Sequence, residues 1–146
     1  MKTDEFVAAV QRRAGLDSQE AAYNAIGATL ATLSERLAGG EVKDLASQLP
    51  YEIAVYLEQP MAGAGEPFGL DEFFWRVSQR AGTDLQEAAL QARVVIGVLS
   101  EAVTMGEIEN VRAQLPEDIR QLFMVQNEGE LPLVPEEDMP ETAEFQ

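Results

Sequence analysis

Apolar side chains recur along this chain at helical spacing and nowhere alternate with period two. Phe6, Val7 and Val10 form one stripe, and Phe73, Phe74 and Val77 form another, as in a helix that buries a single face. The spacing predicts first helices over about 4–14 and 71–81. Longer stripes follow, Ala22, Ile26, Leu30, Leu33 and Leu37, then Ala88, Ala92, Val95, Ile96, Leu99 and Val103. They predict central core helices over about 18–38 and 85–104. Short third helices are expected over Glu41–Ser47 and Glu107–Ala113. Fourth helices, after each Leu-Pro, would bury Ile53, Tyr56 and Leu57, or Ile119, Leu122 and Phe123. With no alternating segment, no sheet is expected and the fold class is all-α.

Turn residues punctuate both sets of stripes at matching places. Gly15 and Gly82 stand where a left-handed residue ends a helix. Asp17 and Asp84 then read as N-caps, with Glu20 and Glu87 three residues on, in the manner of a capping box. Gly39-Gly40 and Gly106 are expected to end the long helices, and Pro50 and Pro116 to take first helical positions.

The pattern is written twice. Residues 6–22 and 73–89, 67 apart, are identical at ten of seventeen positions. Further on the separation is 66: Leu33-Ser34-Glu35 matches Leu99-Ser100-Glu101, Gly40-Glu41 matches Gly106-Glu107, and Gln48-Leu49-Pro50 matches Gln114-Leu115-Pro116. The change of register falls, on the sequence, around residues 20–26. One copy alone is too small to bury enough of its surface. The expectation is therefore two tandem four-helix repeats packed as one pseudo-two-fold helical domain over 1–127. Repeat one covers about 4–58, a Gly- and Pro-rich linker 59–70, and repeat two about 71–125.

Charge changes this picture by its placement. Acids outnumber bases 26 to 10, giving a net charge of −16. Residues 6–57 and 73–123 each carry only −2, whereas 58–72 carry −4 and 128–146 carry −7 with no base. A DNA mimic needs charge fixed on a folded surface, and nucleic-acid binding needs clustered Lys and Arg, so neither is expected. The segment 128–146 is acidic and proline-broken, which predicts a disordered tail. The longest uncharged run, Ala21 to Ser34, falls short of the ~20 apolar residues of a membrane span. No signal-peptide pattern follows the polar N-terminus. A cytoplasmic protein without membrane contact is expected.

Candidate chemistry is thin. The chain has no Cys and no His, which removes thiolate nucleophiles, imidazole bases and His- or Cys-ligated metals. Asp4/Glu5 and Asp71/Glu72 fall in first helical turns, where acids suit the helix dipole. Glu20 and Glu87 could meet as a carboxylate metal site, but capping accounts for them. Ser34 and Ser100 lack the setting of a nucleophile. Asp17, Glu20, Asp84 and Glu87 would be the acids of a carboxylate-only hydrolase, which needs two of them converging in a cleft. No catalytic, cofactor-binding or metal-binding residue is assigned, and no cofactor is expected.

Binding is the more productive question. Trp75 lies off the apolar stripe and either covers the linker or faces a partner. Arg12, Arg13, Arg76 and Arg80 either compensate helix dipoles and form surface pairs or hold an acidic partner. Leu131, Leu133 and Val134, set among acids, suit docking on a basic grooved surface, or the segment merely solubilises.

The motifs Phe-x3-Val-x2-Arg-Ala-Gly, Glu-Ala-Ala, Leu-Ser-Glu, Gly-Glu and Gln-Leu-Pro occur in each copy, and Phe68-Gly69-Leu70-Asp71-Glu72-Phe73 opens the second. Together they resemble a bacterial family known as domain of unknown function 2267, over about residues 4–125. The resemblance implies an all-helical two-repeat fold and no established activity. Arg120 looks like that family's basic residue after Leu-Pro, where copy one has Ala54-Val55, so a partner contact there would belong to copy two alone.

The expected function is a non-enzymatic protein–protein interaction module. Its partner is an unknown protein, or a second copy of the chain in a homodimer. Trp75, Arg76, Arg80, Arg120, Leu131, Leu133 and Val134 are the candidate contacts. The alternative is a sensor or carrier of apolar small molecules, with a pocket between the repeats near Trp75.

Overall fold

A computed structural model of the chain describes residues 1–123. The expected tail, with Leu131, Leu133 and Val134, lies outside the described residues. Eight α-helices make up the described chain: α1 (Thr3–Arg13), α2 (Gln19–Arg36), α3 (Glu41–Ala46), α4 (Tyr51–Ala54), α5 (Leu70–Ala81), α6 (Leu85–Ala102), α7 (Met105–Ala113) and α8 (Glu117–Arg120). α4 and α8 each run on into one 3₁₀ turn, Val55–Leu57 and Gln121–Phe123. Among the described residues the only β pairing is an isolated bridge between Ala38 and Ala64. No described helix is long and apolar enough to cross a membrane.

The core is a bundle of the four long helices, with α2 and α6 in contact and α1 and α5 each lying against both. Phe6, Val10, Ile26, Leu30, Leu33, Phe73, Val77, Val95, Ile96 and Leu99 are fully buried there. The short helices close the bundle's surface with Leu45, Ile53, Leu57, Val111, Ile119 and Phe123. Three predicted core side chains differ. Phe74, Tyr56 and Val103 are only partly buried, and Val103 falls beyond the last turn of α6 as its C-cap.

Several predicted boundaries move for identifiable reasons. Ser18, not Asp17, caps α2: its Oγ accepts from Ala21 N at 3.0 Å. Asp84 caps α6 as expected, accepting from Glu87 N at 2.8 Å. With Ser18 and Asp84 as the two caps, α2 and α6 each run for 18 residues and begin at Gln19 and Leu85. The register change therefore lies in the turn before the cap, where Gly15-Leu16-Asp17-Ser18 stands against Gly82-Thr83-Asp84. The shared Gln-Glu-Ala-Ala had concealed it. Gly106 does not end a helix: Thr104 caps α7 by accepting from Glu107 N, and Gly106 lies inside the first turn. Pro50 and Pro116 are cap residues with extended backbone, ψ 150° and 164°, one position earlier than predicted. Gly15 and Gly82 do adopt left-handed backbone, φ 66° and 73°.

The Gly- and Pro-rich segment after α4 is an ordered strap. Gly63 N donates to Ser34 O, Gly65 N to Leu37 O and Glu66 N to Glu35 O, each at 2.9 Å. These bonds satisfy carbonyls that the end of α2 leaves without helical partners. Gly63 and Gly65 both have positive φ, and a Cβ on Gly65 would come within 3.0 Å of Ala38 Cβ. Glycine is what lets the strap lie this close to the helix end.

Candidate functional site

The strap brings charge to one side of α5 and locks it there. Arg76 donates from Nη1 to Glu35 Oε1 at 2.9 Å, from both terminal nitrogens to Glu66 at 2.9 and 2.7 Å, and from Nε to Glu72 at 2.9 Å. Its guanidinium lies 4.1 Å from the centroid of the Phe68 ring, a cation–π contact. Hydrogen bonds to Glu66, then to Glu72 and Glu35, raise its pKa, and the same bond holds Glu66 below the usual carboxylate range. One turn on, Arg80 donates to Thr32 Oγ1 at 2.7 Å and to both oxygens of Glu35. Glu35 is buried, so a single carboxylate on α2 organises two arginines of α5.

Beside this lock, a groove of about 920 Å³ runs along α2 and reaches the 3₁₀ turn after α4. Its α2 wall comes from Ala21, Asn24, Ala28 and Ala31, spaced to share one helical face, with Gly27 alongside. Tyr23 and Tyr56 supply aromatic walls, and Glu20, Gln59 and Arg80 supply polar ones. Gly27 sets the depth: a Cβ there would lie 3.0 Å from two ring carbons of Tyr56. Gln59 is fixed by donating to Ser34 Oγ at 2.8 Å, and Asn24 by donating to Ala81 O at 2.8 Å.

A second concentration of charge lies where α3 meets α7. Glu107 is buried, and its Oε2, like Glu41 Oε2, has no hydrogen-bond partner among the described residues. Burial, the adjacent Glu41 carboxyl and the charges of Glu41 and Asp44 push the Glu107 carboxyl up to about 8. Two flanking bonds fix this end of the bundle. Gln48 Oε1 accepts from Thr104 N, and Gln114 Oε1 accepts from Ala38 N, both at 2.8 Å.

The candidate residues from the sequence are dispersed. Arg76 and Arg80 are engaged with carboxylates of the chain itself, and of the two only Arg80 reaches the groove. Trp75 is half exposed on α5 and does not line the groove. Arg120 is partly buried at the end of α8. Arg13 pairs with Glu101 through two bonds of 2.7 and 3.0 Å, which raise its pKa. Among the described residues, no group of three acids is placed to hold a metal ion. Glu35, the groove and the approach of Glu41 to Glu107 are not foreseen from the sequence. Small residues at helical spacing in α2 were the available signal for the groove, and Glu41 matching Glu107 was the signal for the acid pair.

The described chain is thus all-helical, with Arg76 and Arg80 of α5 held by the buried Glu35 of α2 beside an open groove. More particularly, the model of the family DUF2267, described as an uncharacterized conserved protein, matches residues 3–122, and the chain belongs to that family. No curated protein matches it.

Proposed function

We propose that this protein is a non-enzymatic binding module that receives a helix of a protein partner in the α2 groove. The observation that carries the proposal is the groove itself, an apolar-floored channel of small side chains between two tyrosines. A floor of Ala and Gly lets a partner's apolar ridge approach closely, and tyrosines are well suited to anchor it. A basic residue on the partner helix would match Glu20 at the edge of the groove. Arg80 adds little positive potential there, because Glu35 neutralises it.

The groove belongs to a module made, we infer, of two copies of one helical unit related by a local two-fold axis. Matching contacts between the copies support this. Arg13 of α1 pairs with Glu101 of α6, and Arg80 of α5 pairs with Glu35 of α2. Gln48 and Gln114 accept from Thr104 N and Ala38 N in the same reciprocal way. Tyr56 and Gly27 have no aromatic–glycine counterpart, since Leu122 and Arg93 stand at the matching positions. The groove is therefore a specialisation of the first copy.

The test is capture from native lysate with three proteins: the full chain, a chain ending at Asn127, and full-length Ala31→Arg, which fills the groove. The expected result is one partner held by the first two and lost by the third, with the circular-dichroism spectrum unchanged. A partner held equally by Ala31→Arg overturns the groove assignment. A partner lost only with the truncated chain moves the contact to Leu131, Leu133 and Val134.

A further inference from the structure

We propose that Glu41 and Glu107 hold one proton between them, and that this proton clasps α3 to α7, so that its loss as pH rises loosens the contact between the two halves of the chain. Three independent observations meet here. The first is geometric: Oε2 of each carboxylate is buried with no donor, although a carboxylate offers only acceptors and a buried acceptor is normally satisfied. A carboxylic acid shared between the two supplies the missing donor. The second is positional. Glu41 and Glu107 are matched residues of the internal duplication, so packing α3 on α7 brings two identical charges together. The third is the surrounding frame. Gln48, just after α3, holds the start of α7 at Thr104, and Gln114, just after α7, holds Ala38 in the segment leading to α3, so the two helices are tied to each other on both sides of the pair.

No cation offsets the pair. Among the described residues neither carboxylate forms an ion pair. α3 presents Glu41 and Asp44, both negative, and Lys43, which is exposed. α7 itself adds exposed Glu109, and Arg112, whose Nε is buried without a partner. Burial and the like charges of Glu41 and Asp44 raise the Glu107 carboxyl to about 8, from an ordinary value of 4.5.

The sign follows from proton binding. Between about pH 4.5 and 8 the folded chain keeps a proton that the unfolded chain has released. Folding is then penalised as pH rises, by up to about tenfold in the folding equilibrium constant per pH unit, and the penalty levels off above the folded value. Urea unfolding of the full chain from pH 5 to pH 9 tests this against Glu107→Gln and Glu41→Gln. Each variant replaces the shared proton with a permanent amide donor. At pH 5 the variants should lie within about fivefold of the wild type. By pH 8 their folding constants should exceed the wild-type value by at least about 100-fold. Parallel profiles for wild type and variants overturn the proposal. Carbon-13 titration of the wild-type glutamate carboxyls gives a second readout that needs no variant. One carboxyl should titrate near pH 8, and if every one has titrated below pH 6 the shared proton does not exist.

Discussion

Glu35 shows how much one residue's setting matters, because its counterpart Glu101 makes the same kind of pair in a wetter place. The Glu35 side chain is 6% exposed and meets two arginines, whereas Glu101 is 38% exposed and meets one. Breaking a buried pair strands its partners in low dielectric, while a surface pair is screened by water. Glu35→Ala should therefore cost about 3 kcal/mol, and Glu101→Ala less than about 1 kcal/mol, both by urea unfolding at pH 7. Similar costs for the two would show that burial does not govern these pairs. Gly27 gives a different separation. Alanine gains up to about 1 kcal/mol in helix propensity, and the partly buried Tyr56 ring must shift to admit the new Cβ. Gly27→Ala should leave stability within about 1 kcal/mol of wild type while weakening partner capture at least tenfold. Unchanged capture would remove Tyr56 from the groove's function.

At the scale of elements, helix ends are held by residues far away in sequence. Gly69 at the start of α5 has no side chain with which to cap it, and Asp118 of α8 accepts from Leu70 N at 2.9 Å instead. The carboxylate also meets the positive end of the α5 dipole. Asp118→Ala should cost about 1 kcal/mol, the usual value of a lost cap, with faster amide exchange confined to the first turn of α5. Exchange unchanged there would contradict the capping role. Such long-range caps were invisible in the sequence, which shows only neighbours along the chain. What was legible was the periodic part: the four long helices, placed within about two residues, and the left-handed Gly15 and Gly82. The boundaries that failed, at Asp17 and Gly106, were decided by which nearby hydroxyl captured the helix start. Ser18 won over the adjacent Asp17, and Thr104 captured the start of α7 two residues before Gly106. The strap failed differently, since its Gly and Pro content signals a turn-rich segment but not the carbonyls of α2 that receive it.

For the whole molecule, the repeated sequence pattern marks out both what could be foreseen and what could not. It matches the acids at positions 41 and 107, but not the α3–α7 contact that brings them together. The groove was illegible for a related reason. Tyr23 and Tyr56 lie on different elements, and only packing of the 3₁₀ turn against α2 joins them. Charge at this scale is also uneven, each helical half being nearly neutral. The most direct test is photocrosslinking in native lysate, with benzoylphenylalanine placed singly at Tyr23, Tyr56, Tyr51 or Trp75. Tyr51 and Trp75 are exposed residues outside the groove and serve as surface controls, whereas Tyr23 and Tyr56 stand partly buried in its walls. One adduct of common mass is expected from Tyr23 and Tyr56, and none of that mass from Tyr51 or Trp75. An adduct from Trp75 or Tyr51, with none from the groove positions, would contradict the groove assignment.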